Sequence, residues 1–212
     1  NYSLYCRKYE TLEGKEELLL DGNELAKGHE YFRLGNFSVS PAHTLLAYST
    51  DTEGDEVYVT YFKDLKTGKL REDRIPNVYY GLAWGNDEKT LFYTTLDEAK
   101  RPWRVHRHVL GTPVTSDEVV FEEPDERFYV SLSKTKDRKY VLITSESKTT
   151  AEVFALDADR PGEAIASVAG RRSGVLYSVA HHAGEFLILH NDGAQNFQVS
   201  TAPAGDAIAS VA

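Results

Sequence analysis

Leu45-Leu46-Ala47-Tyr48-Ser49 is the first of four short apolar and aromatic runs that decide the fold. Residues of these types favour β-strands, and the length of each run suits a single strand. The runs start 46, 49 and 46 residues apart, which is typical of a repeated structural unit. The other three are Leu91-Phe92-Tyr93-Thr94-Thr95, Tyr140-Val141-Leu142-Ile143-Thr144 and Phe186-Leu187-Ile188-Leu189-His190.

Each of these runs is flanked by further strand-like segments. An alternating segment and a short polar turn precede it, which together predict a hairpin. A third segment follows in every repeat, at Val57–Phe62, Val105–Leu110, Val153–Leu156 and Phe197–Ser200. A fourth is visible in three repeats, at Val119–Phe121, Ala164–Val168 and Ala207–Val211, and the last two share the sequence Ala-Ile-Ala-Ser-Val-Ala.

Four strands recurring every 40 to 50 residues predict the blades of a β-propeller, because one small twisted sheet needs neighbours to cover both of its faces. The chain is therefore expected to be all-β. Gly22–Lys27 is long enough for only a turn or two of helix. Blades are expected at 31–76, 77–125, 126–173 and 174–212, while residues 1–30 hold the last two strands of a preceding blade and a linker. Four blades and half of another make a partial propeller, so a longer protein is expected.

The composition disfavours some classes of binding partner and location. The net charge of −9 disfavours binding to the phosphate backbone of nucleic acids. No apolar run approaches the length of a membrane span, and no signal peptide is apparent. Cys6 is the one cysteine and cannot form an internal disulfide, which favours a reducing, cytoplasmic location.

Many segments, taken in order, match one family across nearly the whole chain. Among them are Gly28-His29-Glu30-Tyr31-Phe32, Ala83-Trp84-Gly85-Asn86-Asp87, His106-Arg107-His108-Val109-Leu110-Gly111-Thr112-Pro113, Phe128-Tyr129-Val130-Ser131 and Ser147-Lys148-Thr149-Thr150-Ala151-Glu152-Val153. The chain resembles the oligopeptidase B branch of the prolyl oligopeptidase family of serine peptidases. It departs from the family pattern at Val105-His106-Arg107, where Val-Trp-Arg is usual, and in the Ala-rich segment 202–212.

The resemblance implies a seven-bladed propeller that caps an α/β-hydrolase domain with a Ser, Asp and His triad. It also implies cleavage of short peptides after Arg or Lys, with the propeller controlling access. The expected partners are therefore the hydrolase domain of the same protein and oligopeptide substrates. The rival interpretations are a propeller that acts as an interaction scaffold without an enzyme, and the propeller of a dipeptidyl-peptidase-like enzyme.

No catalytic residue is expected within this chain. A nucleophile elbow needs Gly-x-Ser-x-Gly on a strand-to-helix turn, and Gly170-Arg171-Arg172-Ser173-Gly174 has one residue too many before its serine. We expect the chain alone to be inactive and assign it neither a cofactor nor a metal. The serine, histidine and aspartate would come from outside it.

Two histidine pairs need an explanation. His106 and His108 are two apart on a strand, so their side chains share a face, but no third metal ligand is placed by spacing. We expect surface or inter-blade hydrogen bonding there. His181 and His182 are expected in the turn of the last hairpin.

An acidic loop is the one candidate contact site. Asp51, Glu53, Asp55 and Glu56 lie between the second and third strands of the first complete blade. They either stay solvated or face the catalytic domain, in which case Asp51, Asp55 and Glu56 would form interdomain charge pairs.

Other conspicuous residues receive no site. The basic pairs Lys100-Arg101 and Arg171-Arg172 are expected to be exposed loop residues. The aromatic residues on the strands are expected to pack between blades: Phe37, Trp84, Phe92, Tyr93 and Tyr140.

Overall fold

The structure, a computed structural model, describes residues 1–204. Strands dominate it, with one short helix (α1, Gly22–Leu25) and a single 3-10 turn at Val114–Ser116. The strands are β1 (Leu4–Lys8), β2 (Glu16–Asp21), β3 (Arg33–Val39), β4 (Leu45–Asp51), β5 (Tyr58–Asp64), β6 (Leu70–Val78), β7 (Leu82–Trp84), β8 (Thr90–Leu96), β9 (Pro102–Val109), β10 (Glu118–Glu122), β11 (Tyr129–Lys134), β12 (Tyr140–Glu146), β13 (Ala151–Asp157), β14 (Ala166–Ser167), β15 (Tyr177–His182), β16 (Glu185–His190) and β17 (Gln198–Pro203).

The strands form five antiparallel sheets in chain order. A two-stranded sheet of β1 and β2 comes first. Three four-stranded sheets follow, β3–β6, β7–β10 and β11–β14, and then the three described strands β15–β17. Within each sheet, every strand pairs with the next one along the chain, so every sheet is an up-and-down meander.

The second strand of each complete sheet is buried on both faces. Every residue of β4 is buried, and β8 and β12 are buried over most of their length. Because each sheet lies between two others, both faces of its strands lose contact with water. In β16 the exposed and buried residues alternate, with Leu187 and Leu189 on the side that no described sheet covers.

Four hydrophobic clusters separate successive sheets, one at each junction. At the junction between β3–β6 and β7–β10, the rings of Phe62 and Trp84 meet edge to face at 5.9 Å. Trp84, Phe92 and Tyr93 are almost fully buried. Face-to-face packing in chain order is the arrangement of propeller blades, so the predicted partial propeller is confirmed.

The hairpin turns carry a repeated backbone feature. His43, Glu88 and Arg138 each have a positive φ near 60° at the same place in the first hairpin of their sheet. In the last sheet the turn contains only Ala183 and Gly184, both with positive φ, which is the pattern of a two-residue type I′ turn. The expectation that His181 and His182 lie in the turn is therefore wrong, because this tighter turn leaves both of them in β15.

The three predicted fourth strands have different outcomes. Val119–Phe121 is confirmed within β10. Of the segment Ala164–Val168, only Ala166–Ser167 pairs as a strand. The predicted strand Ala207–Val211 lies outside the described residues. Helix α1 falls within the range expected for a helical turn, and the Asp21 side chain accepts hydrogen bonds from the first backbone N–H groups.

None of the helices in residues 1–204 is long and apolar enough to span a membrane.

Candidate functional site: a cleft on the loop face

One face of the propeller gathers two kinds of connection. Neighbouring strands run in opposite directions, so the loops from second to third strands emerge on the same side as the links between sheets. We call this side the cleft face. Its loops are 52–57, 97–101, 147–150 and 191–197, and its links between sheets are 22–32, 79–81, 123–128 and 168–176.

A cleft of about 1090 Å³ opens on this face. Its lining combines the tyrosines Tyr79, Tyr80 and Tyr129 with charged side chains of both signs. Glu126 and Glu146 are exposed there and have no ion-pair partner among residues 1–204. Aromatic faces and free carboxylates are the groups that bind cationic side chains.

Arg101 lies beneath one wall of the cleft. The sequence suggested an exposed loop residue, but the Arg101 side chain is only 7% exposed. Its Nε donates to the Asp97 carboxylate at 2.8 Å, and Nη1 donates to the carbonyls of Asp125 at 3.0 Å and Phe128 at 2.8 Å. The exposed assignment fails because Arg101 has acceptors both in its own loop and in the link after β10, and that link reaches Arg101 only once β9 and β10 pair.

Glu123 forms a buried charge centre beside it. This residue is 2% exposed and accepts hydrogen bonds from Arg171, from the Ser145 hydroxyl and from the Asp125 backbone N–H. Burial would raise the pKa of Glu123, but these hydrogen bonds outweigh burial and hold the pKa below its usual value. Arg171 is an exposed residue of a link between sheets, as expected, and it also pairs with Glu152 at 3.1 Å.

The acidic loop borders the same face. Asp51 is the last residue of β4 and is 1% exposed, and its carboxylate accepts backbone N–H groups of Glu53, Gly54 and Glu56. Asp55 pairs with Lys100 at 3.3 Å and Glu56 with Arg33 at 2.9 Å, all about half exposed. Asp55 and Glu56 thus remain open to a partner, while Asp51 shapes the loop that carries them.

His106 and His108 share a face, which is turned towards the preceding sheet. The ring of His106 stacks on Tyr93, and burial beside Arg104 lowers its pKa. His108 is fully buried, with Nδ1 2.8 Å from Asp117 and Nε2 3.7 Å from Asp73. The contacts with Tyr93 and Asp117 lie within the sheet that carries both histidines. Only His108 reaches the preceding sheet, where its ring stacks on Phe62 and approaches Asp73. Within residues 1–204 no three His, Cys, Asp or Glu residues lie close enough to hold a metal ion.

His181 and His182 point in opposite directions from β15. Nδ1 of His181 contacts the Asp137 carboxylate of the preceding sheet, and its ring lies between Tyr140 and Phe186. His182 is exposed. The pair therefore shares no site, and His181 instead ties two sheets together on the side opposite the cleft.

The sequence profile described as "Prolyl oligopeptidase, N-terminal beta-propeller domain" matches residues 1–210. The chain belongs to this family. The resemblance found in the sequence is thereby confirmed at the level of the prolyl oligopeptidase propeller.

Individual proteins that are similar to this chain support the same family assignment. Protease 2 of Moraxella lacunata is 41% identical over 212 residues, which cover 97% of this chain and 31% of the relative. Dipeptidyl aminopeptidase BI of Pseudoxanthomonas mexicana is 40% identical over 190 residues, covering 89% and 26%. The structure of oligopeptidase B from Leishmania major superposes with a TM-score of 0.90 at 32% identity, covering 98% of this chain and 30% of that one. The propeller chain thus spans less than a third of the length of these relatives.

Sequence reasoning on this propeller missed Arg101, Glu123 and the cleft. The one local signal was Asp97, four residues before Arg101 on a tight loop. Nothing in the sequence pointed to the carbonyl acceptors, because main-chain groups are the same at every position.

Proposed function

We propose that this chain is the propeller portion of a serine oligopeptidase that hydrolyses short peptides after Arg or Lys. In this proposal the propeller controls which peptides reach the active site. The α/β-hydrolase domain of the same protein supplies the serine, histidine and aspartate for acyl transfer. Folded proteins are excluded by size, while flexible oligopeptides enter.

The cleft is the observation that carries the proposal. Its size suits several residues of an extended peptide. Its tyrosines and the free carboxylates of Glu126 and Glu146 match peptides that carry Arg or Lys. The net charge of −9 would draw such peptides towards the protein.

We also propose that the cleft face is the side that meets the hydrolase domain, with Asp55 and Glu56 as charged contacts. Both carboxylates project from the rim of this face and are about half exposed. The blade limits 31–76, 77–125, 126–173 and 174–212, with the half blade before them, belong to the same proposal. So does a cytoplasmic location, which the single cysteine favours.

A dipeptidyl aminopeptidase is the second candidate. The 40% identity to dipeptidyl aminopeptidase BI is nearly as high as the identity to Protease 2, and a propeller of similar sequence serves both relatives. The two activities differ in whether the substrate needs a free amino terminus. A scaffold propeller without an enzyme remains the third interpretation.

One assay separates the candidates. The full-length protein is incubated with an amino-blocked fluorogenic peptide ending in Arg and with an unblocked dipeptide substrate, each with and without a serine-reactive inhibitor. We expect inhibitor-sensitive cleavage of the blocked peptide. Cleavage of the unblocked substrate alone would favour the dipeptidyl aminopeptidase, and no cleavage of either would favour the scaffold.

A further inference from the structure

The link from β10 to β11 forms a wall of the cleft without regular secondary structure. Residues 125–129 line the cleft one after another. The backbone hydrogen bonds of the link are few: Glu123 N–H donates to the Trp103 carbonyl, and Phe128 N–H donates to the Asp125 carbonyl. A segment of this kind keeps its shape only if side chains hold it.

Arg101 holds this link from below. Its guanidinium donates to three main-chain carbonyls of the link, those of Glu123, Asp125 and Phe128, at 2.8 to 3.3 Å. The other edge of the guanidinium is fixed by the Asp97 carboxylate, which also accepts the Arg101 backbone N–H at 2.9 Å. The Arg101 guanidinium is therefore held in place by Asp97 on one edge while its other edge binds the link.

Arg171 also contacts this link, through the side chains of Phe128 and Glu123. Its guanidinium carbon lies 4.0 Å from the centre of the Phe128 ring, and its nitrogens pair with the Glu123 carboxylate. Arg101 comes from the loop between β8 and β9, Arg171 comes from the link between β14 and β15, and both bind the same link. Arg101 acts on the main chain, whereas Arg171 acts on side chains.

We propose that Arg101 is a positioning residue that fixes the 123–128 wall of the cleft and so sets the affinity for peptides long enough to reach it. This inference rests on the proposed function, since it gives the cleft a part in substrate binding. Lysine cannot replace arginine here, because a single ammonium group cannot meet a carboxylate and three carbonyls in one plane.

Arg107 offers a matched control on the opposite face. It is a half-buried arginine of β9, with a side chain that is 14% exposed, and like Arg101 it donates to main-chain carbonyls of a distant segment, those of Pro161 at 2.9 Å and Glu163 at 3.3 Å. Its loss should disturb the fold to a comparable degree without touching the cleft.

The test compares Arg101→Lys and Arg101→Met with Arg107→Lys and Arg107→Met in the full-length protein. Two fluorogenic Arg substrates are used, one of dipeptide length and one of about ten residues. In the Arg101 variants we expect the KM of the long substrate to rise about tenfold or more, with kcat and both constants of the short substrate unchanged. The Arg107 variants should treat both substrates alike.

Amide hydrogen exchange provides the second readout and needs no activity. Exchange in residues 123–128 should become faster in Arg101→Lys, while exchange in residues 158–165 should become faster only in Arg107→Lys. Equal losses on both substrates, or unchanged exchange at 123–128, would overturn the proposal. If Arg101→Met does not fold, Arg101→Lys decides. If the unsubstituted protein cleaves neither peptide, the proposed function fails, while hydrogen exchange still tests the positioning role.

Discussion

Glu123 shows how a buried charge is kept in this propeller. A carboxylate removed from water is costly unless ion pairing and hydrogen bonds compensate for lost solvation. Arg171, Ser145 and the Asp125 backbone N–H provide that compensation. Because Arg171 comes from the link between two later sheets, the charge of Glu123 also joins separate blades.

The pKa of Glu123 predicts how stability responds to acid. The folded protein lowers this pKa from 4.5, so the ionised carboxylate stabilises the fold above pH 4.5 and this contribution is lost as pH falls through the lower, folded value. Glu123→Gln should lower the free energy of unfolding by about 2 kcal/mol at pH 7 and by less in acid. Urea denaturation of the full-length protein at pH 7 and pH 4 measures both.

The neighbouring Glu122 is the control for that prediction. It is exposed and pairs with Arg104 on the surface, so Glu122→Gln should change stability by less than about 0.5 kcal/mol at either pH. Equal effects of the two substitutions would contradict the role assigned to the buried carboxylate.

Gly35 is required by a close approach rather than by a turn. A Cβ at this position would collide with the ring of Tyr58, which is fully buried and whose hydroxyl lies 2.6 Å from that of Tyr80. We expect Gly35→Ala to lower the free energy of unfolding by about 1–3 kcal/mol, because the ring has no room to move. Gly162→Ala, where nothing lies within 4 Å of the new Cβ, should be nearly neutral in the same denaturation experiment. A neutral Gly35→Ala would show that the ring can shift.

At the scale of elements, several loops depend on one aspartate that accepts backbone N–H groups. Asp51 does so on the cleft face, and Asp64 does so for Lys66 and Thr67 on the opposite face of the same sheet. Such side-chain acceptors replace the hydrogen bonds that a loop cannot make within itself. The loops that follow Asp51 and Asp64 are therefore held by the same kind of hydrogen bonds but lie on opposite faces of the propeller.

This difference yields a prediction for Asp51. Asp51→Ala and Asp64→Ala should each lower the free energy of unfolding by about 1–2 kcal/mol, because each loses several hydrogen bonds. Only Asp51→Ala should also change the turnover of an oligopeptide by the full-length protein, since it displaces Asp55 and Glu56. A similar change in turnover for both variants would remove the distinction between the two faces.

At the scale of the whole molecule, apolar side chains remain exposed on the outermost sheets. Leu4 and Leu18 are exposed on the first sheet, and Leu187, Leu189 and Val199 on the last. Equivalent positions in the middle sheets are covered by the next blade, as the clusters between sheets show. The chain spans less than a third of its relatives, and its family is a propeller, so these sides belong to an unfinished ring.

The proposed contact with the hydrolase domain can be tested by removing its charged side chains. Asp55→Ala combined with Glu56→Ala in the full-length protein should change kcat/KM for oligopeptides about two- to fivefold and weaken the response of turnover to added salt, because exposed ion pairs are screened. The reaction of a dipeptide-length substrate should change less. As a control, Asp159→Ala with Glu163→Ala removes two half-exposed carboxylates from the opposite face. No change in turnover or salt response would exclude the contact.

Much of this architecture follows from local pattern. The runs that start at Leu45, Leu91, Tyr140 and Phe186 all form inner strands of their sheets. In the first three, apolar residues on both faces are covered by neighbouring sheets, whereas β16 has one face that no described sheet covers. The fourth strand after Val153–Leu156 was overestimated, since only Ala166–Ser167 pairs there. The sequence also predicts a longer turn in the last hairpin, which would include His181 and His182, whereas the turn contains only Ala183 and Gly184. Polar residues do not reveal the length of a turn, because backbone geometry sets it.

The sequence by itself determined the repeat, the strand order and the family, because these follow from periodicity and from residues read in order. The tertiary structure alone decided that Arg101 is buried, that Glu123 meets Arg171 across 48 residues, and that a cleft opens on one face. Those features depend on main-chain carbonyls and on distant side chains, which come together only when strands pair and sheets pack against each other.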